Sequence, residues 1–126
     1  MILKLDYGNE KLKVDIPEKN LLNIIESRHV NTIKDPAAVL RESFENPVGS
    51  KPLAKKIINK RNICIVISDS TRAAPTKLIL GTLLPFLESI GIKKEYITIL
   101  IATGLHRPNL GKELENLVGA DVAGSY

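Results

Sequence analysis

The chain has 126 residues, 44% apolar and 25% charged, with 18 basic side chains against 14 acidic ones and a formal charge of +4. That is enough apolar material for one modest core and too little for two; with only 4% aromatic residues the basic excess lacks the stacking surface of a nucleic-acid reader, so Lys55, Lys56, Lys60 and Arg61 read as a solvated face. A single cysteine, Cys64, excludes an internal disulfide framework and reads as a small core residue in a reducing compartment, and no apolar run is long enough to span a bilayer, so a cytoplasmic protein without membrane or nucleic-acid partners is expected.

Leu3, Leu5 and Tyr7 alternate with Lys4 and Asp6, and Leu12, Val14 and Ile16 alternate with Lys11, Lys13 and Asp15. With Gly8-Asn9 between the runs, this predicts an N-terminal β-hairpin with one buried face. From Pro17 to Lys34 the pattern fits a short helix and an extended segment equally, and no element is assigned. Asp35-Pro36 opens a helix with aspartate as N-cap and proline at the first position; Ala37, Leu40 and Phe44 share one face before Asn46-Pro47 stops it. A second short helix is expected over 50–58. Residues 1–60 read as a hairpin and helical cap packed on the second half of the chain, and 61–126 as a βαβα unit, together one N-terminal α/β domain.

Ile63 to Ile67 is a continuous run of the kind expected of a strand covered on both faces. A helical stripe, Leu78, Ile79, Leu83, Leu84, Leu87 and Ile90, then runs from Pro75 to Gly91, with Pro85 expected to bend it. Residues 96–102 predict another fully buried strand, and 108–118 a last helix ended by Gly119. Strand, helix, strand with short connections is a βαβ unit. The fold expected is α/β, an open parallel sheet of Rossmann-like type preceded by the hairpin.

In such sheets ligands bind beyond the carboxyl ends of the strands. There stand Ser68-Asp69-Ser70-Thr71-Arg72 and Thr103-Gly104-Leu105-His106-Arg107. The first loop offers a carboxylate, a guanidinium, two hydroxyls and backbone N–H groups near a helix start, a set suited to a phosphate or carboxylate. With the following helix starting at Pro75, these residues lie too early to serve only as its cap. The second loop offers His106, whose ordinary pKa of about 6.5 suits a general acid or base at neutral pH. His29 has no Cys or His neighbour at metal-ligand spacing and reads as an ordinary surface residue. No complete metal site and no glycine-rich dinucleotide or ATP loop is present in the sequence.

The two motifs, with Pro75-Thr76 after the first and Pro108 after the second, resemble the nickel-pincer lactate racemase family of nickel-dependent 2-hydroxyacid racemases. Tyr7-Gly8, Ile16-Pro17-Glu18, Asn20-Leu21-Leu22 and Asp35-Pro36 extend the resemblance over essentially the whole chain. Ala73 departs from it, many members having proline there. The resemblance implies a longer two-domain isomerase acting on small 2-hydroxy acids by proton-coupled hydride transfer through a nickel-pincer nucleotide, a pyridinium bisthiocarboxylate mononucleotide carrying Ni(II). It implies Asp69 and Arg72 in the anchor for the cofactor's phosphate end, and His106 as one of two acid/base histidines. The second histidine, the nickel ligand and the tethering lysine would lie in the remainder of the enzyme, with Tyr126 a boundary within it and this piece inactive alone. A non-catalytic phosphate- or nucleotide-binding module is the rival reading of the same residues.

Overall fold

The computed structural model describes residues 1–8 and 10–126. They fall into two compact units, Met1–Thr32 and Ile33–Tyr126. In the first, β1 (Ile2–Tyr7) and β2 (Glu10–Asp15) pair antiparallel with Leu3 opposite Val14 and Leu5 opposite Leu12, so the apolar residues of both strands share a face. Of the expected turn, Gly8 has φ +59°, and Asn9 lies outside the described residues. The expectation of one buried face is corrected: Leu3 and Val14 are half-buried, while Leu5, Tyr7 and Leu12 stay exposed. Two strands alone supply no second layer to cover them. Beyond them, Glu18–Asn20 makes one turn of 3₁₀ helix, and 21–32 has no regular structure.

The second unit opens with α1 (Pro36–Glu45), where the Ala38 N–H donates to the Asp35 carboxylate at 2.9 Å, the cap read from Asp35-Pro36. Its inner face meets the third helix through Phe44 and Phe86, ring centroids 5.3 Å apart. A shorter α2 (Leu53–Ile57) follows, so α1 and α2 belong to the same unit as the parallel strands. Then come β3 (Ile63–Ser68), α3 (Thr76–Ser89), β4 (Ile97–Ala102), α4 (Lys112–Val118) and α5 (Ala120–Ser125). β3 and β4 run parallel in register from Ile63 opposite Ile97 to Ser68 opposite Ala102, the βαβ unit expected. The helix α3 continues through Pro85.

The core is Leu80, Leu84 and Leu87 of α3, packed on Ile92, Ile97 and Val118, with Ile65, Ile67 and Ile99 of the sheet against it; of the expected stripe Leu84 and Leu87 are buried, while Leu78 is exposed and Leu80, outside it, is the most buried. Only one sheet face takes part. Cys64, Val66, Thr98 and Leu100 point the other way and are exposed, Val66 by 62% and Leu100 by 52%. This corrects two expectations: the strands are covered on one face, and Cys64 is no core residue. All the helices that pack on these strands lie on the side of Ile65 and Ile67, and alternation of side chains along a strand sends Cys64 and Val66 to the side they leave open. No helix among the described residues is long and apolar enough to cross a membrane.

Candidate active site

Because β3 and β4 end flush, Ser68 opposite Ala102, the two loops begin side by side. The first turns back at once: the Arg72 N–H donates to the Asp69 carbonyl at 3.2 Å, and the Asp69 carboxylate oxygen Oδ1 accepts the Thr71 N–H at 3.1 Å and the Thr71 hydroxyl at 2.6 Å. This is the local hydrogen bonding that makes aspartate a turn-former. The second loop turns through Gly104 at φ +58°, a conformation costly for any residue with a Cβ, and the His106 N–H donates to the Thr103 carbonyl at 3.0 Å.

These two turns bring Asp69 and His106 together. Imidazole Nδ1 lies 2.5 Å from Asp69 Oδ2, with the aspartate side chain 5% exposed and the histidine 51%. The Thr71 hydroxyl first, and His106 next, hold the Asp69 carboxyl down to about 2, so it is ionised at neutral pH despite its burial. Of the anion-binding set, then, Asp69 is committed to Thr71 and His106. Arg72 is exposed and makes no ion pair among the described residues.

Arg72 lines two adjoining hollows. One is bounded by Asp69, Thr103, Gly104 and His106. The other, about 820 Å³, is bounded by Ser70, Pro75, Thr76, Lys77, Glu113 and Asn116 at the start of α3. No side chain caps α3, whose N-cap is Pro75, so its first N–H groups have no intrahelical acceptor. Among the described residues no three His, Cys, Asp or Glu come together to hold a metal ion.

Two residues that the sequence did not single out tie the loops together. Asn109, 6% exposed, donates to the Ser70 hydroxyl at 2.8 Å and accepts the Ser70 N–H at 3.4 Å. Glu113 accepts the Ser70 hydroxyl at 3.1 Å and both arms of the Arg107 guanidinium, at 2.6 and 3.0 Å. Arg107, then Asn109 and Ser70, lower the Glu113 pKa. The expected helix over 108–118 begins only at Lys112, and the four freed residues form the loop that carries Asn109. Ser70, read as an anion-binding hydroxyl, is occupied by this network.

Residues 7–126 match the lactate racemase N-terminal domain model. The chain is 32% identical over 95% of its length to the lactate racemase of Thermoanaerobacterium thermosaccharolyticum and 33% identical over 95% to that of Lactiplantibacillus plantarum. It is also similar to the structure of the lactate racemase apoprotein from Thermoanaerobacterium thermosaccharolyticum, with a TM-score of 0.71 and 31% identity over 97% of the chain. It spans 28% of the length of each of these proteins, and with them it belongs to the lactate racemase family, as an N-terminal domain.

Proposed function

We propose that the complete protein carrying this chain racemises small 2-hydroxy acids by proton-coupled hydride transfer through a nickel-pincer nucleotide. In that reading this chain supplies part of the cofactor's phosphate site and one of the two acid/base histidines. The observation that carries the proposal is the Asp69–His106 pair at the carboxyl ends of two parallel strands, beside Arg72, in a chain of this family.

The donor set fits a mononucleotide phosphate. Arg72 offers a guanidinium with no carboxylate partner among the described residues, Lys77 a second cation on the same hollow, and the start of α3 a positive dipole end with the N–H groups that follow Thr76, whose own N–H donates to the Ala74 carbonyl at 2.8 Å. Asp69 belongs to this anchor by holding the Ser70–Arg72 turn closed rather than by meeting the phosphate itself. When bound, the nickel-pincer group supplies the hydride acceptor.

His106 does the proton work. Nδ1 is engaged with the Asp69 carboxylate, so Nε2 is the nitrogen that takes the substrate hydroxyl proton and later returns it. The imidazolium formed in between is stabilised by the ionised Asp69 next to it. The second histidine, the nickel ligand and the tether are assigned to the part of the protein beyond this chain, and the place of action to the cytoplasm.

The test is a chiral assay of the complete gene product, matured with the pincer cofactor, on a panel of 2-hydroxy acids including D- and L-lactate. Interconversion is expected, with His106→Ala lowering turnover by roughly 10²–10⁴ while nickel loading persists. No interconversion by nickel-loaded protein, together with tight binding of a simple nucleotide, would replace this reading with a binding module. Loss of nickel in His106→Ala would give that residue a structural or ligating role instead.

A further inference from the structure

We infer that Asp69 is a positioning residue for His106: held by Thr71, its carboxylate fixes the imidazole in the Nδ1-protonated form and leaves Nε2 as the nitrogen that exchanges protons. This rests on the acid/base reading of His106 and extends it to the neighbour that selects the working tautomer.

Donors and acceptors decide the tautomer. The Thr71 backbone N–H can only donate, and at 3.1 Å it faces Asp69 Oδ1, which also receives the Thr71 hydroxyl at 2.6 Å. Oδ1 is thereby committed, and Oδ2 is left for His106 Nδ1. An ionised carboxylate can only accept, so Nδ1 must carry the proton. A free imidazole has two tautomers and a ring that can rotate; here both are chosen by a carboxylate whose side chain is 5% exposed and whose own rotation is blocked by the turn it closes. The half-exposed histidine, which lines the hollow with Arg72, Thr103 and Gly104, is thus left with Nε2 as its uncommitted nitrogen.

A near-isosteric change separates position from charge. In Asp69→Asn the amide oxygen must stay on the Thr71 side, because turning the amide round would set its NH₂ against the Thr71 N–H in a buried position. The NH₂ then faces His106 Nδ1, which can only accept it. The proton is driven to Nε2, and the base is blocked without any loss of volume.

The experiment uses the cofactor-free complete gene product labelled with ¹⁵N-histidine, with the His106 signals assigned by their loss in His106→Ala. Two-bond ¹H–¹⁵N spectra are recorded along a rising pH series, up to the plateau at which the ring signals no longer change. We expect the Nδ1-protonated pattern in the wild type and the Nε2-protonated pattern in Asp69→Asn. In the cofactor-loaded protein kcat should fall by roughly 10³–10⁴ in this variant with KM little changed. An unchanged tautomer in Asp69→Asn, or turnover within tenfold of wild type, would overturn the inference. If the protein racemises nothing, the function proposed above fails, and the tautomer spectra still decide whether Asp69 governs His106.

Discussion

Asp69 is a charged side chain held where water hardly reaches it, and that position has a signature in acid. Its pKa is lowered from 3.8 to about 2 by Thr71 and His106, so the folded state binds the proton less readily than the unfolded chain does. The stability this contributes is complete above 3.8 and disappears as the pH falls from there through about 2. Glu113, lowered chiefly by Arg107, acts in the same direction. Urea unfolding midpoints followed across this window should therefore drop less steeply in Asp69→Asn than in the wild type. In Thr71→Val, which removes the largest cause of the shift, the drop should be smaller and end at a higher pH. Equal slopes in all three proteins would mean that Asp69 titrates normally and that its contacts with Thr71 and His106 do not persist in solution.

Among the elements, α3 bears most of the packing and α1 depends on its first turn. Leu84 is 2% exposed within the core, and Leu84→Ala should cost about 2–5 kcal/mol. Asp35→Ala, which removes only the acceptor of the Ala38 N–H, should cost about 1 kcal/mol. Chemical denaturation of both variants measures the difference, and a cap variant as damaging as the core variant would mean that α1 is needed for the packing of α3. These elements could be read in advance because their signals are local: the aspartate-proline start, the apolar stripe of α3, the branched runs of β3 and β4, and the turn residues after each strand. The same holds for the positions of Asp69, Arg72 and His106 at adjoining strand ends. Asn109 and Glu113 could not be read, since they bond to Ser70 across 39 and 43 positions and no spacing rule reaches that far. The exposure of Cys64 and Val66 was hidden for another reason. A run of branched residues looks the same whether or not the layer that covers its second face belongs to the same stretch of chain.

For the molecule as a whole, the relation of 126 residues to relatives of which they span 28% matters most. The proposed chemistry needs a second base and a nickel ligand, and this chain has one histidine in its hollow and no metal-holding cluster among the described residues. Purified alone, the 126-residue chain should leave D- and L-lactate unchanged in a chiral separation, even with pincer cofactor supplied. Turnover by it would show that the part proposed to lie elsewhere is dispensable. The Asp69–His106 contact, by contrast, closes within this chain, between the ends of the two strands of one strand–helix–strand unit. Every element that this contact needs lies in that one unit, and chains fold from the N-terminus as synthesis proceeds. The pair can therefore assemble on the ribosome once α4 has emerged, so that the proposed general base is already oriented before the proposed cofactor arrives to meet it.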